Sequence, residues 1–104
     1  MLQARQPEPA LKVVDSRLAN YPDDYRLYLF QARAHALLNR RLAQHRSQAE
    51  AYARMGSTGA AIEQLQIGLK SSDGDYYQMS SAEARLRQLR VQDAEERKES
   101  GRKQ

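Results

Sequence analysis

Seven residues between His45 and Gly68 constrain this chain more than any other feature. His45, Ala49, Tyr52, Gly56, Ala61, Leu65 and Gly68 follow at intervals of four, three, four, five, four and three. Intervals of three and four keep side chains on one face of an α-helix, so two helices joined near Gly56 are predicted. Small residues alternate with large ones. Small ones sit where two helices cross closely, and large ones fill the space between crossings. No stretch alternates apolar and polar as a strand would, and β-branched residues are few: Val13, Val14, Thr58, Ile62, Ile67 and Val91. Ala, Leu, Gln, Glu and Arg, all good helix formers, dominate. The fold class is all-α, with about five helices stacked as antiparallel hairpins.

The first helix is predicted over 7–20. Pro7 or Pro9 suits its first turn, where no N–H is needed, and Ala10, Leu11, Val14 and Leu18 share a face. Pro22 ends it. The second runs over 24–38, capped by Asp23 or Asp24. Leu27, Phe30, Ala34, Leu37 and Leu38 form one stripe, and Tyr28, Ala32 and His35 form another. A helix apolar on two sides packs between two neighbours. Asn39 is a left-handed stop. The third covers 42–55. The fourth runs from Gly59 or Ala60 to Lys70, with Gly68 at a close backbone approach. The fifth starts near Tyr76 or Ser80 and buries Met79, Ala82, Leu86 and Leu89. Ser80-Ser81-Ala82-Glu83 reads as a capping box, which predicts a break or kink near Ser80. Residues 1–6 are expected to be frayed or disordered, 7–90 to form the helical domain, and 91–104 to be a charged tail whose helix, where it continues toward Lys98, frays and gives way to disorder.

Cysteine is absent, which excludes disulfides and thiolate metal sites. No apolar run reaches the roughly eighteen residues of a membrane span. No signal peptide is present either; if the protein is exported, its signal lies outside this chain. The net charge is +4, with 17 Lys and Arg against 13 Asp and Glu. Within 91–104 acids and bases balance, so the excess lies in the helical body. A basic domain raises the possibility of RNA. One Phe and no Trp leave little for base stacking, and a solvated surface accounts for the charge better. No Gly-rich phosphate loop, nucleophile elbow or Cys/His dyad occurs. His35 and His45 occupy large-residue packing positions on different helices, and Glu50 and Glu63 read as solvated rather than as an acid–base pair. No catalytic or metal-binding residue is assigned, and this chain needs no cofactor.

The spacing resembles the tetratricopeptide repeat, a 34-residue helix–turn–helix unit. Residues 42–75 match a whole unit, with Asp73-Gly74 where a closing Pro is usual. Ala10, Val14, Leu18 and Pro22 match a second half, with Arg17 where a small residue is usual. Tyr28, Ala32 and His35 match a first half. The resemblance implies that Ala10, Val14, Tyr28, Ala32, His35, Ala49, Tyr52, Gly56, Ala61, Leu65 and Gly68 carry the packing of a right-handed superhelix. It also implies a concave groove lined by first helices, with Arg26, Leu29 and Arg33, and Arg46, Glu50, Ala53 and Arg54, as partner-binding candidates. Such an Arg-rich groove suits acidic or C-terminal carboxylate ligands. Tyr76 and Tyr77 are further candidate anchors. Glu50 and Arg33 stand where the two-carboxylate clamp of chaperone-binding repeats has Asn, which argues against that clamp.

A narrower resemblance rests on His45-Arg46, Ala49-Glu50-Ala51-Tyr52, Gly56, Ala60 to Leu65, Asp75-Tyr76-Tyr77 and Glu83 to Arg90. These segments resemble the C-terminal repeat region of bacterial periplasmic zinc metallopeptidases of the β-barrel assembly-enhancing type. The resemblance implies a longer parent enzyme whose HExxH peptidase domain and zinc lie outside this chain. It implies a periplasmic location and protein partners: outer-membrane assembly machinery, client proteins or the parent's own peptidase domain. Neither His35 nor His45 has the HExxH context. A free-standing repeat adaptor, or a basic RNA-binding helical domain, is the alternative. The first helix lacks a preceding partner helix, so Leu11, Val14 and Leu18 are expected to lose part of their cover, and the helix to fray or, the favoured outcome, to pack against a second copy as a homodimer.

Overall fold

The computed structural model describes residues 6–102, which form five α-helices and, among those residues, no strand. They are α1 (Pro7–Asn20), α2 (Tyr25–Leu37), α3 (Arg41–Arg54), α4 (Thr58–Lys70) and α5 (Tyr76–Arg102). Residues 1–5, expected to fray, lie outside the described part, as do 103 and 104. Each helix packs on the next in the chain, and α5 also reaches back to α3. Short loops make consecutive helices antiparallel hairpins. The result is an oblong body of 50 × 29 × 19 Å.

Local chemistry sets most boundaries. Pro7 opens α1, where its missing N–H costs nothing. Asp24 caps α2, its Oδ1 accepting the Arg26 backbone N–H at 3.1 Å. Asn39 (φ 58°) and Gly56 (φ 81°) end α2 and α3 in the left-handed region. α3 has no cap of its own, since the Arg40 side chain supplies none. Asp73, from the loop after α4, takes over: its Oδ2 accepts from the Arg41 N–H at 2.5 Å and its Oδ1 from the Leu42 N–H at 3.0 Å.

The core lies among α3, α4 and α5. Leu42, Ala49, Ala61, Leu65, Ala82, Leu86 and Leu89 form it, with Tyr52, Ile62, Leu69 and Met79 packed around. Ala49, Ala61 and Ala82 are fully buried, as expected where helices cross closely. Gly68 is buried because a Cβ there would lie 2.9 Å from the His45 Cβ. Leu11 and Val14 of α1 and Leu27, Ala32 and Ala34 of α2 are buried as well. Gln31 links α1 and α3, donating to Asp15 Oδ1 at 2.8 Å and accepting from Ser47 Oγ at 2.7 Å.

Helix α5 differs from expectation twice. It runs without a break at Ser80 because the reciprocal cap forms five residues earlier. There the Gln78 N–H donates to Asp75 Oδ1 at 2.8 Å, and the Asp75 N–H donates to Gln78 Oε1 at 2.9 Å. It also continues through the charged segment to Arg102 instead of fraying after Arg90. Thr58 at the start of α4 donates to Glu96 Oε1 at 2.8 Å, and Asp93 pairs with Arg97 one turn on. These contacts hold a stretch whose apolar stripe has ended.

Candidate protein-interaction groove

Helix α3 lies between α2 and α5. Arg46, Glu50 and Arg54 follow at four-residue spacing and share the face of α3 bordered by those two helices. Glu50 is the centre of the constellation. Its Oε1 accepts from Arg54 Nη1 and, at 3.1 Å, from Arg85 Nη2, while its Oε2 accepts from Arg85 Nε at 2.8 Å. Arg85 in turn donates to Gln88 Oε1 at 3.2 Å. One turn away, Arg46 donates to Ser81 Oγ at 3.0 Å. The expectation that Glu50 is simply solvated is therefore corrected: its side chain is 22% exposed and ties α3 to α5.

Arg54 does three things. It pairs with Glu50, donates from Nε to the Pro22 carbonyl at 3.0 Å, and lies over the Tyr28 ring with its guanidinium carbon 4.6 Å from the centroid. Cation–π attraction on a half-covered ring adds to the ion pair. Between this cluster and the α1–α2 loop is a cleft of about 320 Å³, bounded by Asp23, Ala53, Arg54, Arg85 and Gln92.

Of the residues predicted for a partner surface, Glu50 and Arg54 are brought into contact, Arg54 and Ala53 border the cleft, and Arg46 lies one turn from Glu50, on Ser81. Arg26, Leu29 and Arg33 are elsewhere: they are exposed on another side of α2 from Gln31 and Tyr28, which meet α3. Arg26 is engaged by Asp24, and the hydrogen bond from its guanidinium holds the Asp24 carboxyl below its ordinary value. Tyr76 and Tyr77 are about four-fifths exposed at the start of α5, their rings edge-to-face at 6.0 Å, away from the cleft. Sequence reasoning missed Arg85 and Ser81 as groove residues. A signal for them exists: Ser81, Arg85, Gln88 and Gln92 make a polar stripe at helical spacing beside the apolar one of Ala82, Leu86 and Leu89.

A second depression, about 720 Å³, lies on α1 and α2 and is apolar, with Val13 59% and Phe30 42% exposed. His45 Nδ1 is bonded to Gln64 Oε1 at 2.8 Å. His35 is half-buried, its Nδ1 meets no partner, and burial pushes its pKa down, aided by Arg40. Among the described residues no three His, Asp or Glu side chains converge as metal ligands, and no helix is long and apolar enough to cross a membrane. Compared with known proteins, the chain matches no family model, no curated protein and no solved structure.

Proposed function

We propose that this chain is a non-catalytic protein-interaction segment that holds a partner polypeptide in the cleft bounded by the α1–α2 loop, α3 and α5. The observation that carries the reading is the Glu50–Arg54–Arg85 cluster. It presents partly buried hydrogen-bond donors beside a cleft of about 320 Å³. Serial helix hairpins with small residues at their crossings support a tetratricopeptide-like scaffold. The test is fluorescence anisotropy with a panel of labelled extended peptides of acidic, neutral and basic composition. At least one class binds, and Gln92→Arg, at the cleft, changes its affinity. A panel without a binder contradicts the reading.

The parent assignment belongs to the same proposal. The tyrosine pair and the Glu83–Arg90 segment support a C-terminal repeat region of a periplasmic zinc metallopeptidase. The outer-membrane assembly machinery, client proteins or its own peptidase domain would then be the partners. An HExxH motif upstream in the same reading frame is the expected finding, and its absence removes the parent. Leu11 and Val14, expected to be bare, are buried; the exposed Val13 and Phe30 support self-association through α1 and α2 instead. Light scattering over a concentration series tests that, with Val13→Glu expected to abolish it. An unchanging monomer mass would refute it.

A further inference from the structure

The side of α2 that carries Arg26, Leu29 and Arg33 takes no part in the cleft. With Leu37 these residues follow at intervals of three, four and four, so they form one ridge along the helix. All four are exposed, Leu29 at 42% and Leu37 at 45%. The buried side of α2, with Leu27, Ala32 and Ala34, lies elsewhere on the helix.

The ridge stands in the most basic part of the chain. Residues 25–49 contain five arginines, Arg26, Arg33, Arg40, Arg41 and Arg46, and no Asp or Glu. The whole chain carries +4, so outside that segment acids outnumber bases by one. Two of the arginines meet acids from other segments: Arg26 holds Asp24 at 3.1 Å, and Arg40 holds Glu8 at 3.0 Å. Both guanidiniums are solvent-exposed, and surface pairs of this kind exchange one anion for another at small cost. Arg33, midway between the two leucines, pairs with no acid among the described residues.

We propose that this ridge of α2 docks on an anionic lipid surface, with Leu29 and Leu37 entering the headgroup layer and Arg26 and Arg33 on its phosphates. Leu29 and Leu37 are eight residues apart, about 12 Å along the axis, and project to the same side. Both therefore reach a flat surface when the helix lies along it. The aliphatic stem of Arg33 can lie beside them while its guanidinium takes a phosphate through two N–H groups. Other occupants suit the ridge less well. Leu29 and Leu37 have no π-face on which a base could stack. An extended peptide needs the walls of a groove, and a ridge has none. A second copy meeting this side about a two-fold axis would set the acid-free segment against itself. Self-association belongs to the Val13–Phe30 flank.

The chain has no Trp, so single tryptophans report position. Leu29→Trp and Leu37→Trp place one on the ridge. Val91→Trp, on the exposed side of α5, is the control. Each variant is titrated at low salt with vesicles of phosphatidylcholine, alone or mixed with phosphatidylglycerol. Both ridge tryptophans shift to the blue with the mixed vesicles only, and the control does not shift. Adding Arg33→Glu lowers partitioning by at least about tenfold. Arg87→Glu, the same charge change on exposed α5, lowers it by less than about threefold. No shift with either vesicle overturns the proposal, as does a shift at Val91→Trp alone. Equal shifts with neutral vesicles overturn the anionic requirement. Equal losses from the two reversals assign binding to net charge and remove the ridge. A ridge shift that grows with protein concentration without vesicles gives the site to a second copy. One produced by an oligonucleotide or acidic peptide in place of vesicles overturns the lipid assignment. None of these variants alters a residue bounding the cleft, so every outcome leaves that reading as it was.

Discussion

The carboxylate of Asp73 caps Leu42, accepting its backbone N–H at 3.0 Å from a loop more than thirty residues later in the chain. The same carboxylate takes the Arg41 N–H and the Ser71 hydroxyl. It satisfies orphan donors at the start of α3 and places a negative charge at the positive end of that helix. Leu42 is 1% exposed and belongs to the core, so the cap also holds the α4–α5 loop over the helix that floors the cleft.

Asp73→Ala is expected to destabilise the chain by about 0.5–2 kcal/mol, the usual cost of losing such a cap. Hydrogen bonds from the Leu42 and Arg41 N–H groups outweigh burial and hold the Asp73 carboxyl below its ordinary 3.8. A depressed carboxylate contributes stability above its unfolded pKa and loses it as pH falls through the folded value. Chemical denaturation of both proteins at pH 7 and below pH 4 checks this: the difference between them shrinks in acid.

The register of the α3–α4 crossing is tested at two glycines. A Cβ at Gly68 would lie 2.9 Å from the His45 Cβ and 3.2 Å from Leu42 Cδ1, whereas one at Gly59 meets nothing within 4 Å. Gly68→Leu is expected to cost roughly 1–3 kcal/mol or more by overpacking. Gly59→Ala, in the first turn of α4, is expected to be neutral or mildly stabilising. Thermal melts of the two variants give the comparison, and equal shifts would refute this crossing.

Arg54 and Arg33 should differ although the sequence presents them as alike. Arg54→Glu removes the contact with Tyr28 and sets a second carboxylate beside Glu50, and a loss of about 1–2 kcal/mol is expected. Arg33 is exposed on α2, and Arg33→Glu should leave the melting temperature nearly unchanged.

His35 predicts a pH response of its own. Burial, then the charge of Arg40, lowers its pKa below the ordinary 6.5, and its Nδ1 has no partner. As pH falls below 6.5 the unfolded chain takes up a proton that the folded chain resists, so stability declines toward the folded pKa. Urea denaturation at pH 7.5 and 5.5 should show that decline, and it should be smaller in His35→Gln.

The helices were legible where local signals sufficed. Pro7, Asp24, Asn39 and Gly56 mark α1 to α3 because a missing N–H, a capping oxygen or a left-handed φ acts on adjacent residues. Ala49, Ala61, Leu65 and Gly68 are buried as their spacing predicts. Features built from distant residues were not legible. Asp73 reads as a helix breaker until α3 is placed beside its loop, and Arg85 reads as surface charge until Glu50 comes within reach. At Ser80 two local signals competed. The Asp75–Gln78 cap lies upstream of the Ser80–Glu83 pattern and leaves both serines inside the helix.

The central claim is that partner polypeptide binds in the cleft bounded by the α1–α2 loop, α3 and α5. Amide chemical-shift mapping of the ¹⁵N-labelled chain, titrated with the tightest-binding peptide of the acidic, neutral and basic panel, tests it most directly. The account predicts perturbations concentrated on residues 46–54 of α3 and 81–92 of α5. Saturable perturbations confined to the Val13–Phe30 face or to the Tyr76–Tyr77 corner would contradict it.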